Sequence, residues 1–76
     1  MNLIHYQAGV LHAEDMALDL ITDEVETPFY CYSSAKIEQN YAEFAEAFTD
    51  LDAMICYAVK ANSNLAVIDI LVQQGA

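Results

Sequence analysis

The sequence predicts an α/β protein, and three observations carry that expectation. Segments of strand-like and helix-like pattern alternate; the run Ala53-Met54-Ile55-Cys56-Tyr57-Ala58-Val59 is apolar on both pleat faces; and the last helical stretch is apolar around most of its circumference. A strand without a polar face reads as one covered on both sides, as in parallel sheets, and flanking helices supply that cover.

The elements follow in order. Leu3-Ile4-His5-Tyr6, Gln7-Ala8-Gly9 and Val10-Leu11-His12 read as two short strands around a turn, because Gly9 supplies the positive φ such a turn needs. From Ala13 to Glu26 the chain is acidic with Leu18, Leu20, Ile21 and Val25 interspersed, and Thr22-Asp23-Glu24-Val25 fits either a helical turn or a loop. Thr27-Pro28 punctuates, since proline drives the preceding residue to extended conformations, and the aromatic run Phe29-Tyr30-Cys31-Tyr32 is expected as a strand.

Ser33 or Ser34 then caps a helix, in which Ile37, Tyr41, Phe44, Ala45 and Phe48 form one stripe at the helical period and Gln39, Glu43 and Glu46 take the opposite face. After the polar break Thr49-Asp50-Leu51-Asp52 comes the doubly apolar segment, expected as a central strand. Asn62, Ser63 and Asn64 offer cap chemistry for a second helix from about Leu65 to Gln74, with Gly75 at its stop. On that helix Leu65, Ile68, Leu71 and Val72 fill an arc that Val67 and Ile70 widen, leaving Asp69 and Gln73 as the polar sector. Such a helix wants a sheet on one side and helices on the other, so the α/β pattern is expected to continue past Ala76.

Length and composition set limits. Seventy-six residues allow one small domain at most, and 57% hydrophobic residues are more than so short a chain can readily hide, which points to missing packing partners. Twelve acidic residues against two lysines give a formal charge of −10, the wrong sign for nucleic acid. No apolar run reaches the ~18 residues of a membrane span, and Met1–Tyr6 lacks the basic start of a secretory signal, so a cytoplasmic location is expected. Cys31 and Cys56 lie in separate apolar runs without metal or redox spacing and are expected to be reduced and buried. His5 and His12 lack further ligands at metal-site spacing and are expected to face solvent; no metal site is expected. Phosphate-binding glycine motifs are absent.

Lys60 is the residue that carries chemistry. It closes the most apolar segment just before the turn into a helix, where desolvation favours the neutral amine and makes it a nucleophile toward an aldehyde. By period two it shares a face with Ala58, Cys56 and Met54, while Ile55, Tyr57 and Val59 pack beneath helices, and the small side chain of Ala58 leaves room for a flat ring. The residues alone leave open the other reading, a surface lysine snorkelling from a strand end.

The segment Tyr57-Ala58-Val59-Lys60-Ala61-Asn62-Ser63-Asn64 resembles the cofactor-lysine motif of the alanine-racemase-like pyridoxal-phosphate enzymes, in the form most similar to diaminopimelate decarboxylases. The resemblance extends to Thr27-Pro28-Phe29-Tyr30-Cys31-Tyr32 and to the pattern Tyr6, Gly9, Leu11, Ala13, Glu14, so that nearly the whole chain fits one family in order. Ornithine decarboxylases carry a similar motif but continue with Cys-Asn; Ala61-Asn62-Ser63-Asn64 favours the diaminopimelate branch.

That resemblance implies the start of a pyridoxal-phosphate-binding (β/α)8 TIM-like barrel over residues 33–76, preceded at 1–32 by a β-hairpin segment that in the family joins a second, all-β domain. It implies decarboxylation of meso-2,6-diaminopimelate to L-lysine and CO2, with Lys60 as catalytic and cofactor-attaching residue, Ala58 beside the cofactor, and a homodimer as the working form. A barrel takes ~250 residues, so the chain is expected to be an N-terminal fragment, inactive alone; whether the truncation is natural stays open. The competing functions are a related decarboxylase of ornithine type and a non-catalytic acidic interaction fragment.

Overall fold

A two-residue turn at Ala8-Gly9, with φ of 52° and 78°, folds strand β1 (Ile4–Gln7) back onto β2 (Val10–Ala13) in the computed structural model, which describes residues 3–76. Positive φ at both positions matches the right-handed twist of the flanking strands. Glycine adopts it freely, whereas Ala8 takes it against the steric preference of an L-residue. The register pairs Ile4 with Ala13, His5 with His12 and Gln7 with Val10. The hairpin expected from Gly9 is therefore present.

A second turn, at Glu14 (φ 56°) and Asp15, adds a two-residue strand β3 (Met16–Ala17), giving a three-stranded antiparallel sheet in the order β1-β2-β3. Helix α1 (Leu18–Thr22) follows without a break and ends where the backbone N–H groups of Glu24 and Val25 both donate to the Ile21 carbonyl. Asp19 in its first turn complements the helix dipole. The sequence left this stretch open because its turn uses a glutamate in the left-handed region and neither glycine nor proline marks it.

Glu14 anchors the sheet to the segment beyond. Its backbone N–H donates to the Leu3 carbonyl at 2.6 Å, and its Oε2 accepts from Ser33 Oγ at 2.7 Å. Ser33 is buried, at 6% exposure. Residues 29–32, expected as a strand, have no regular secondary structure, and the Thr27-Pro28 bond before them is cis. Tyr30 and Tyr32 instead stack on each other, centroids 6.4 Å apart. Aromatic propensity favours extended backbone, but a strand also needs a neighbour's backbone to pair with.

The chain divides between Ala35 and Lys36 into two compact units. The second holds most of α2 (Ser34–Ala47) and all of α3 (Leu65–Gln74). Ile37, Tyr41, Ala45 and Phe48 form the half-buried stripe of α2 as the period required. Two expectations for this helix are corrected: Phe44 is 54% exposed, with its ring tilted against Phe48 at 5.0 Å, and Gln39 is half-buried instead of on the open polar face.

Helix α3 begins and ends as its sequence indicates. Asn64 caps it by accepting the Ala66 N–H on its side chain at 2.9 Å, and Gly75, at φ 109°, lets the Gly75 and Ala76 N–H groups turn back to the Val72 and Leu71 carbonyls. Val67 is its buried residue, and Asp69 and Gln73 are joined by a 2.9 Å hydrogen bond on the polar sector. Leu65 and Val72, expected within the packed arc, stand 81% and 58% exposed. An all-round apolar helix exposes whichever side lacks a neighbour.

The result is a mixed α/β chain with a thin core: among the described residues only Ala13 and Val67 are buried hydrophobics. Both cysteines, expected to be buried, are exposed, because the apolar segments that hold them are uncovered. His5 and His12, expected to face solvent, are half-buried and stacked across the hairpin at 5.7 Å, and His12 Nδ1–H donates to the Val10 carbonyl at 2.9 Å. No helix is long and apolar enough to cross a membrane among the described residues.

Candidate functional site

The route to Lys60 starts at the end of α2. Phe48, Thr49 and Leu51 donate backbone N–H groups to Ala45, Glu46 and Phe48, and Ala53 N–H then donates to the Leu51 carbonyl, so the chain reverses through the polar break. From Ala53 it runs without regular structure to a 3-10 turn at Val59–Ala61. The central strand expected over Ala53–Val59 is thus corrected. A strand is defined by ladder hydrogen bonds, and among the described residues no other strand lies alongside this run.

Its side chains nevertheless alternate as the pleat of a strand would have them. Ile55 and Tyr57 are half-buried; Met54, Cys56, Ala58 and Lys60 are exposed. Tyr57 lines a groove with Ile68, Leu71 and Val72 of α3, and Ile55 lies by Phe48 and Ala53. The alternation ends at Val59, 52% exposed where the chain enters the turn. Ala58, Lys60 and Ala61 are exposed along with Val59.

Three hydrogen bonds brace the turn. Ala61 N–H donates to the Ala58 carbonyl at 3.1 Å and closes it. Tyr57 Oη donates to the Asn62 carbonyl at 2.7 Å, reaching across the lysine. Asn62 Oδ1 accepts the Asn64 N–H at 3.0 Å, and Asn64 in turn caps α3. The sequence indicated Asn62 and Asn64 as cap residues; it gave no sign of the Tyr57 contact, since a phenol meeting a backbone carbonyl leaves no residue-type signature. Among the described residues, no group of three or more His, Cys, Asp or Glu side chains stands together to hold a metal ion.

Lys60 thus stands on a braced turn between an apolar segment without regular structure and a capped helix. Residues 34–76 match the family model described as pyridoxal-dependent decarboxylase, pyridoxal binding domain, and the chain belongs to that family. Over its whole length it is 45% identical to the diaminopimelate decarboxylase of Pseudomonas fluorescens and 42% identical to that of Pseudomonas aeruginosa. Over 77 aligned positions it is 40% identical to the diaminopimelate decarboxylase of Vibrio cholerae. The chain spans 18% of the length of each of these relatives.

Proposed function

We propose that this chain carries the cofactor-attaching lysine of a pyridoxal-phosphate-dependent decarboxylase that converts meso-2,6-diaminopimelate to L-lysine and CO2. The observation that supports this most directly is Lys60, exposed on its braced turn within Tyr57–Asn64, in a chain whose family is a pyridoxal binding domain. Identities of 37–45% to diaminopimelate decarboxylases favour that substrate over ornithine.

The residues present fit a pyridoxal. Lys60 Nζ would supply the primary amine, and Ala58, exposed and small two positions before it, is proposed to leave space for the ring. When bound, the cofactor supplies an aldehyde for the amine and an electron-accepting ring for the electron pair left when carboxylate departs as CO2. Lys60 would hold the group through its amine, which must be neutral to act as a nucleophile. Freed when the substrate amine takes its place, Lys60 would be a base available to deliver a proton to the substrate carbon that loses its carboxylate.

The exposed face Met54, Cys56, Ala58, Lys60 is read as the inward face of the first strand of a (β/α)8 barrel, with Ile55 and Tyr57 under the helices. In such barrels one pleat face fills the interior and chemistry gathers at the C-terminal strand ends. The many large apolar side chains left exposed, Met54 at 87% and Leu65 at 81% among them, support packing against further chain of that kind. Residues 33–76 then form the first barrel units and residues 1–32 the segment leading to a second, all-β domain. The working form is proposed as a cytoplasmic homodimer taking a small-molecule substrate, without nucleic-acid or membrane partners.

The test is borohydride reduction of the complete protein carrying this chain, loaded with pyridoxal phosphate, followed by peptide mapping and assay of CO2 release. A pyridoxyl group on Lys60 and release from diaminopimelate in preference to ornithine are expected. Labelling elsewhere, or none, overturns the reading in favour of a non-catalytic acidic interaction segment. Labelling with preference for ornithine moves it to the ornithine-type enzymes.

A further inference from the structure

Resting on the reading that Lys60 attaches the cofactor, we infer that Tyr57 is a positioning residue for that lysine: its phenol, by holding the Asn62 carbonyl, fixes the turn on which Lys60 stands. The turn needs an external brace. It is three residues long, with the Ala61 N–H donating to the Ala58 carbonyl at 3.1 Å, and 3-10 hydrogen bonds have poorer geometry than α-helical ones.

Tyr57 is suited to that task. It is half-buried and lines a groove with Ile68, Leu71 and Val72, and its ring carries the hydroxyl on a planar, stiff frame. The 2.7 Å bond to Asn62 joins the residues on either side of the turn and leaves the Lys60 side chain untouched. Asn62 is itself extended, at φ −160° and ψ 111°, and its side chain is already engaged with the Asn64 N–H. Its carbonyl is therefore locked from two directions, and with it the exit of the lysine turn. Small misplacement of a reacting group has a large effect on rate, so the phenol acts on the amine at a distance, through the backbone.

The experiment uses the complete, cofactor-free protein in three forms: unaltered, Tyr57→Phe and Ile55→Val. Ile55→Val removes a methyl group from the same half-buried side of the segment but spares the phenol. Pyridoxal phosphate is added, borohydride stops the reaction at intervals, and pyridoxyl on Lys60 is quantified by peptide mapping beside a urea midpoint for each form. Tyr57→Phe is expected to slow attachment about fivefold, a size consistent with one hydrogen bond. Ile55→Val is expected to attach at the unaltered rate even where its midpoint falls as far. Amide exchange in the peptide spanning Lys60 to Asn64 is expected to quicken only in Tyr57→Phe. Attachment by Tyr57→Phe at the unaltered rate, or slowing of both variants in step with their midpoints, overturns the inference while leaving the Lys60 reading intact. Absence of pyridoxyl on Lys60 in the unaltered protein defeats the parent reading, and this inference falls with it.

Discussion

Ser33 Oγ donates to Glu14 Oε2 at 2.7 Å, tying the residue just before helix α2 to the second turn of the sheet. Ser33 is buried and Glu14 half-buried, so the bond operates away from bulk water. A hydrogen bond to a charged group contributes about 1.5–3 kcal/mol, and its loss strands the acceptor. Ser33→Ala is expected to lower stability by about 2 kcal/mol, read as a fall in urea midpoint at unchanged slope. A loss below about 0.5 kcal/mol, the ordinary scale of a surface change, would show that water replaces the serine.

The first hairpin turn offers a change in the opposite direction. Ala8 is exposed and holds φ at 52°, where an L-residue without a turn-forming side chain is disfavoured by about 1 kcal/mol. Asparagine followed by glycine is the preferred pair for such a turn. Ala8→Asn, which sets Asn before Gly9, is expected to raise thermal stability by about 0.5–1 kcal/mol, measured by calorimetry; no gain would mean that Ala8 is not strained in solution.

At the other end, Asn64 caps α3 through its side chain. Asn64→Ala is expected to cost about 1 kcal/mol, and Asn64→Ser to restore most of it, because a hydroxyl also accepts the orphan N–H. Amide exchange of Ala66 reports the cap directly: it should quicken in the alanine form and recover in the serine form.

Lys60 is expected to matter for chemistry and hardly at all for folding. Its side chain is exposed and takes no part in the hydrogen bonds that brace its turn. Lys60→Ala is expected to shift the unfolding free energy by less than about 0.5 kcal/mol while abolishing covalent attachment of pyridoxal phosphate in the complete protein. A large loss of stability would assign the lysine a structural role.

What was legible beforehand follows from how local each signal is. The α2 stripe without Phe44, the Asn64 cap, the Gly75 stop and the Gly9 hairpin are written in a few neighbouring residues, and all four are present. Strand formation over Ala53–Val59 or Phe29–Tyr32 depends on a partner backbone that neighbouring residues cannot specify. The alternation of Ile55 and Tyr57 against Met54, Cys56 and Ala58 is nevertheless present in the burial of these side chains. Burial of Cys31 and Cys56 failed as an expectation for the same reason as the strands: apolar character gives a preference for cover and does not provide it. At the site, the lysine motif and the asparagine caps were readable from residue type, whereas the Tyr57–Asn62 bond emerges only from the folded turn.

The Tyr57 contact also measures out the chain. A phenol has one reach, and the carbonyl it meets lies five positions onward. Lengthening or shortening the stretch between them by a single residue would carry that carbonyl out of range and swing the lysine to a different side of the backbone. Substitutions between Tyr57 and Asn62 are therefore constrained by chemistry, position by position, but insertions and deletions are constrained by arithmetic. The interval behaves as a fixed-length cassette, in which the residue count matters as well as the lysine it carries.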